Sequence, residues 1–304
     1  MRDTFSKALT EIAKADPRVL LLTGDHGYAL FDEFRKSCPS QYINAGIAEQ
    51  NMIGVAAGLA RSGFRPYVYG LSAFVPIRVL EQIKIDLVHD SLPVILIGDG
   101  AGFVYSHLGT SHQATEDIAA TRALPNIQIY SPADRYELVR CLELSSKAAT
   151  TTYLRLGKAD RGDVHSEPIS NNPGDLIMVK KGRNELAFLA TGSMVRTALD
   201  VAQLYYPEAT VWSAPFIKPI NQEQIREIAA SATTIICFEE HSIHAGFGSV
   251  IAEVVSEYSP TKVLRVGVQD QFSKHCGSYE YLLREHGLDV KSIGQKITQY
   301  LNRN

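Results

Sequence analysis

The chain has 304 residues, 45% of them hydrophobic and 21% charged, a balance typical of folded proteins and a length sufficient for two separate cores. Thirty Lys and Arg against 33 Asp and Glu leave a formal net charge of -3, which gives no electrostatic reason to expect nucleic acid or an anionic membrane as partner. The four cysteines, Cys38, Cys141, Cys237 and Cys276, lie far from CxxC spacing, so neither a zinc site nor a disulfide framework is expected.

Residues 1–16 have the spacing of an amphipathic helix rather than an apolar leader, and no apolar run approaches the length of a membrane span. The expectation is a soluble, cytoplasmic protein. Strand-length apolar runs then alternate with helix-period segments. Strands are expected at 18–23, 65–69, 93–97, 127–130 and 152–156, with helices at 74–89 and 134–146 among those between them. This pattern specifies a mainly parallel sheet with flanking helices. The alternation lapses over 166–184, where Asn171-Asn172-Pro173-Gly174 punctuates a polar stretch that reads as a linker. A second alternating series follows: strands at 186–190, 210–213, 234–238 and 263–266, helices starting near Val195, Asn221 and Gly248, and two closing helices at 279–286 and 291–301. The expected organisation is α/β in two domains, 1–165 and 185–304, joined by a 166–184 linker, with no solenoid repeat.

Within the first domain, Asn44-Ala45-Gly46-Ile47-Ala48-Glu49-Gln50-Asn51-Met52 places a carboxylate at the opening of a small-residue helix carrying Gly54, Ala56, Ala57, Gly58 and Ala60. A carboxylate in a first turn complements the exposed N–H groups of the helix, which suffices as a structural explanation. The segment also resembles the GIAEQ segment shared by transketolases, 1-deoxyxylulose-5-phosphate synthases and the β subunits of 2-oxoacid dehydrogenases. That resemblance implies a pyrimidine-binding domain followed by a transketolase C-terminal domain, with thiamine diphosphate as cofactor. It also implies that Glu49 hydrogen-bonds a ring nitrogen of the aminopyrimidine and promotes the tautomer that activates the cofactor's reactive carbon. A low-dielectric setting suits an acid that shares its proton with a ring.

Further segments extend the resemblance over nearly the whole chain. Phe74, in Leu71-Ser72-Ala73-Phe74-Val75, matches the aromatic that stacks on the aminopyrimidine. Asp25 matches an acidic position near the cofactor. Gly109-Thr110-Ser111-His112-Gln113 resembles GPTHQ, which implies that His112 handles protons and substrate hydroxyls near the reactive carbon, a task suited to the pKa range of imidazole. His107 falls close enough in sequence to share that cavity. Arg155, in Tyr153-Leu154-Arg155-Leu156, matches an arginine that binds the sugar phosphate, and a planar guanidinium fork suits such an anion. In the second domain, Phe216-Ile217-Lys218-Pro219 and Glu239-Glu240-His241-Ser242-Ile243 match the C-terminal domain, where His241 and His244 need only structural roles.

Gly98-Asp99-Gly100 imitates the start of the family's diphosphate motif, but the paired asparagines that would complete a Mg²⁺ site are absent from Leu124-Pro125-Asn126-Ile127. No metal ligand is therefore expected in this chain. The expectation is a split enzyme, in which a separate amino-terminal transketolase subunit holds Mg²⁺ and the diphosphate, two copies of each chain assemble as a heterotetramer, and the Gly54/Gly58 helix lies at an interface. Three departures point to altered substrate recognition: Leu108 stands where transketolases carry an aspartate, Gly100-Ala101-Gly102 lacks a histidine, and Ala29 lies near the place of a serine. The implied reaction moves a two-carbon ketol from a ketose, phosphorylated if Arg155 holds an anion, to an aldose. The alternatives are a β subunit of a 2-oxoacid decarboxylase or dehydrogenase, a deoxyxylulose-phosphate synthase-like enzyme, and a scaffold subunit without catalysis.

Overall fold

The computed structural model describes residues 1–158 and 161–303, which fold into two α/β units built on sheets of seven and five strands. Strand β1 (Val19–Thr23) is buried along its whole length, as a parallel strand covered on both faces must be. It lies between β2 (Tyr42–Asn44) and β3 (Arg65–Leu71), and β4 (Ile95–Asp99), β5 (Gln128–Tyr130) and β6 (Thr152–Leu156) continue the parallel array in the order β5-β6-β4-β3-β1-β2. Successive side chains alternate between faces. Leu20 and Leu22 join Met52, Ala56 and Val68 in one core, whereas Val19 and Leu21 join Phe5, Leu9 and Tyr67 in the other.

Helix α1 (Arg2–Ala15) covers the second of these faces through Phe5, Leu9 and Ala13, spaced four apart on one stripe. Helices α2 (Asp32–Ser37), α3 (Glu49–Arg61), α4 (Leu80–Gln82), α5 (Asp117–Arg122) and α6 (Arg135–Lys147) complete the layer set. Helix α3 buries Met52, Ile53, Ala56, Ala57 and Ala60 and leaves Asn51, Gly54, Val55 and Gly58 exposed. The continuous helix expected over 74–89 is instead a chain of short turns. Residues 72–76 already turn, with Val75 N–H donating to Leu71 O at 2.7 Å, and Pro76, which lacks an N–H, cannot continue a helical ladder there. A 3₁₀ turn (Ile77–Val79), α4 and a wider π-type stretch (Ile83–Val88) follow, the last closed by His89 N–H donating to Lys84 O at 3.0 Å.

The second sheet runs β12-β11-β8-β9-β7, formed by β7 (Ile177–Lys180), β8 (Arg183–Ala190), β9 (Ala209–Ser213), β11 (Thr234–Ser242) and β12 (Lys262–Val268). Helices α7 (Met194–Tyr205), α8 (Gln222–Ser231), α9 (Phe247–Tyr258), α10 (Tyr279–Glu285) and α11 (Val290–Arg303) pack around it. Within the expected 166–184 linker, β7 is a short, half-buried edge strand antiparallel to β9, and β8 begins at Arg183. Strand β10 (Phe216–Lys218) follows β9 in sequence yet joins the first sheet, pairing antiparallel with β5. The Phe216 ring meets Tyr130 edge-on at 4.8 Å, and Lys218 Nζ donates to Arg122 O at 3.0 Å. Among the described residues no helix is long and apolar enough to cross a membrane.

Candidate cofactor and active site

Parallel strands deliver their following loops to one edge of the sheet, and ligands of open α/β sheets bind there. The loops after β1, β2, β3 and β4, four neighbouring strands, carry Asp25 and His26, Glu49, Phe74 and Arg78, and His107 and His112 respectively. Gly46, at φ 70°, makes the turn from β2 toward α3, with its N–H on Asn44 Oδ1 at 2.9 Å. Glu49 then starts α3 with only 4% of its surface exposed.

Glu49, Phe74 and His112 are brought together. The His112 ring meets Phe74 edge-on with centroids 5.3 Å apart, and His26 lies 5.9 Å from the same ring. Arg78 sits over Phe74 with its guanidinium carbon 4.0 Å from the ring centroid, and its Nη1 lies 3.1 Å from Glu49 Oε1. That pair is close enough for ionic attraction but misaligned for a hydrogen bond, so Glu49 Oε1 is a buried acceptor without a donor. Ser111 Oγ lies 3.0 Å from His112 Nδ1, which leaves Nε2 as the nitrogen available to a ligand. A buried acceptor lacking a donor beside an aromatic face fits the pyrimidine half of thiamine diphosphate: the carboxylate suits a ring N–H and Phe74 suits stacking. Among the described residues no group of three or more His, Cys, Asp or Glu is placed to hold a metal.

The remaining expected residues divide. Asp25 is exposed and holds left-handed backbone at φ 62°, a conformation uncommon for a residue with a side chain. His107 is exposed on a 3₁₀ turn (Ser106–Leu108) beside the 54% exposed Leu108. Arg155 requires a correction. It is 3% exposed, its Nε donates to Asp117 Oδ2 at 2.7 Å, and its Nη2 donates to Ala114 O and Glu240 O at 3.2 and 2.8 Å. A guanidinium closed in by protein acceptors holds the two domains together and offers no anchor for a substrate anion. Asp99, of the Gly-Asp-Gly imitation, is likewise committed inside the fold: its Oδ2 accepts from the Tyr69 and Tyr105 hydroxyls at 2.8 and 2.7 Å. Sequence reasoning missed Arg78 and His26. Both had a signal: His26 stands just after a strand that ends at this edge, and Arg78 stands four residues after Phe74, with its N–H on Phe74 O at 3.1 Å.

The second domain supports the histidine loop. Glu240 Oε1 accepts from Phe103 N–H at 2.7 Å, Ser242 N–H donates to Thr115 O at 2.7 Å, and Ser273 Oγ bridges Gln113 Oε1 and His286 Nε2 at 2.8 and 2.9 Å. His241 is fully buried in this junction; its Nε2 accepts from Ala119 N–H at 3.3 Å and its Nδ1 faces Ser242 O at 2.8 Å. That arrangement assigns a structural, neutral imidazole, whose pKa burial pushes down to about 4. The neighbouring Glu239 carboxyl is pushed up to about 7 by burial, against the Phe247 and Gly248 N–H groups that favour its charge.

These shifts make opposite contributions to stability. Glu239 binds its proton more tightly folded than unfolded, so its contribution is full below pH 4.5 and is lost as pH rises toward 7. The His241 contribution is full above pH 6.5 and is lost as pH falls toward 4. Between those limits the two slopes offset one another. Glu239→Gln is therefore expected to steepen the rise of unfolding free energy with pH across the weakly acidic range, measured by urea denaturation at stepped pH. Profiles parallel to that of the unaltered chain would rule this out.

A parallel sheet whose loop edge gathers a buried glutamate, an aromatic and a histidine, backed by a second α/β unit, has the arrangement expected of a pyrimidine-binding domain followed by a C-terminal domain. Comparison with known proteins agrees. Residues 1–161 match the family model for the transketolase pyrimidine binding domain, and residues 175–293 match that for the transketolase C-terminal domain. The chain belongs to the transketolase family. It is 31% identical over 310 residues to a subunit of the apulose-4-phosphate transketolase of Phocaeicola vulgatus, covering 99% of this chain and 97% of that one. It is 34% identical over 308 residues to 1-deoxy-D-xylulose-5-phosphate synthase of Caldanaerobacter subterraneus, but there 98% of this chain covers only 48% of the relative. Among solved structures, that of a split gene transketolase in an inactive β4 tetramer superposes with a TM-score of 0.88 at 33% identity, covering 99% of this chain and 97% of that one.

Proposed function

We propose that this chain is the C-terminal subunit of a split, thiamine diphosphate-dependent transketolase that moves a two-carbon ketol unit from a ketose to an aldose. The observation that carries the reading is the convergence of Glu49, Phe74 and His112, with a buried carboxylate oxygen that lacks a donor. Bound thiamine diphosphate would supply the electron sink for breaking the bond between C2 and C3 of the ketose. Glu49 would take the hydrogen bond of the aminopyrimidine and hold the activating proton, Phe74 would fix the plane of the ring, and His112 would exchange protons with substrate hydroxyls through Nε2. His107 and Asp25, exposed on loops at the same edge of the sheet, would meet the substrate or the partner chain.

A separate amino-terminal subunit would hold Mg²⁺ and the diphosphate, since Asp99 is engaged inside this fold. Support comes from a relative of matching length that is itself one subunit of a transketolase, and from the split gene transketolase whose β4 tetramer is inactive. The exposed Gly54/Gly58 side of α3 would face another chain in an assembly with two copies of each subunit. The test is ketol transfer from ketoses, and carbon dioxide release from pyruvate, by this chain with and without the amino-terminal subunit. Transfer in the mixture alone is the expected result. Carbon dioxide release from pyruvate would favour the synthase-like reading that the 34% identical relative supports, and full activity of the chain by itself would overturn the split assignment.

A further inference from the structure

Arg78 occupies, within the chain, the neighbourhood of the two residues that an aminopyrimidine would contact. Its planar guanidinium lies over the Phe74 ring at 4.0 Å, and its Nη1 faces Glu49 Oε1 at 3.1 Å. A planar, nitrogen-bearing group over the aromatic with a nitrogen near the carboxylate describes the arginine as it would the ring. If the aminopyrimidine takes the Phe74 face that Arg78 covers, the two exclude one another. The carboxylate explains why the place is filled: Glu49 is 4% exposed, and a buried charge left without a partner is costly. The Arg78 side chain is 46% exposed, so it reaches water without crossing the core and leaves at little cost.

We propose that Arg78 is a placeholder in the pyrimidine site, holding Glu49 and Phe74 in position in the cofactor-free chain and giving way to the aminopyrimidine when thiamine diphosphate binds. The proposal rests on the reading of Glu49 and Phe74 as cofactor-binding residues. The misalignment between Arg78 and Glu49 favours exchange, because the ring N–H supplies the hydrogen bond that the arginine does not make. Arg78 is thus a positioning residue that competes with the cofactor.

The experiment is equilibrium dialysis of thiamine diphosphate with Mg²⁺ against the reconstituted two-subunit complex carrying the unaltered chain, Arg78→Ala or Arg78→Lys. Removing a competitor that stacks and pairs is expected to tighten binding about tenfold in Arg78→Ala, a change of about 1.4 kcal/mol. Arg78→Lys keeps the charge but loses the planar face, so its dissociation constant falls between the two; it also serves as the test if the alanine variant does not fold. A constant that is unchanged or weaker in the folded variants overturns the placeholder role while leaving the cofactor assignment standing. An unaltered complex that binds no thiamine diphosphate overturns both.

Discussion

Glu49→Gln is expected to preserve the fold and the assembly of the reconstituted enzyme and to lower its turnover by about three orders of magnitude, within the range of an acid–base group that acts directly on the reacting system. Glutamine matches glutamate in shape and fills the same buried place at the start of α3, so Met52, Ala56 and Leu22 keep their packing. It cannot hold the proton that the aminopyrimidine must exchange. The measurement that isolates this step is hydrogen–deuterium exchange at the cofactor's reactive carbon, followed by NMR, which should slow by the same factor as turnover. A Glu49→Gln complex that retains more than a tenth of the unaltered rate would remove Glu49 from the chemistry and leave it as a helix-opening residue.

The largest stability effect is expected at the buried Asp117–Arg155 ion pair of the first domain, which lies against Glu240 of the second. Asp117 and Arg155 are 0% and 3% exposed, with Nε 2.7 Å from Oδ2, and the same oxygen accepts from the Tyr153 hydroxyl at 2.6 Å. Asp117→Ala leaves the guanidinium buried without a counter-charge and the phenol without an acceptor. The expected cost is about 3–5 kcal/mol of unfolding free energy. The paired replacement Asp117→Leu with Arg155→Met removes both charges and should recover most of that loss, because apolar groups of similar volume often replace a buried pair at little cost. Urea denaturation of Asp117→Leu, Arg155→Met and the double variant closes the cycle. A single-variant loss under about 1 kcal/mol would mean that water or a rearranged acceptor already screens the pair.

The parts of the fold legible in the sequence were those whose periodicity is long and uninterrupted. The strand expected at 152–156 coincides with β6, and α3, α7 and α9 begin within a residue or so of expectation, because their stripes are set by burial against a sheet. The illegible parts depend on contacts distant in sequence. Strand β10 has three residues and no alternation of its own; only the open edge of β5 selects it. The stretch after Pro76 reads as one helix from its apolar spacing, whereas its turns pass from 3₁₀ to α to π type.

The candidate site was partly legible for the same reason. Glu49, Phe74 and His112 stand in short segments whose resemblance to the family survives, and the structure brings them within contact distance of one another or of a shared neighbour. Arg155 misled because a strand motif names the residue without stating which way its guanidinium is satisfied. Its acceptors come from Ala114, Asp117 and Glu240, on separate elements. Arg78 was passed over because no family segment singles it out, although it stands one helical turn beyond Phe74.

Strand β10 has a practical corollary for dividing this protein into pieces. A fragment ending at Gly174 would contain every residue of the candidate site yet present β5 as an unpaired edge, with the Ile129 and Tyr130 backbone groups open to any passing strand. The complementary fragment would carry Phe216 and Lys218 with nothing to pair against. Each half should therefore be poorly soluble when expressed alone and should recover by complementation when the two are produced together, so that the smallest autonomous unit is defined by strand exchange rather than by the boundary between the domains.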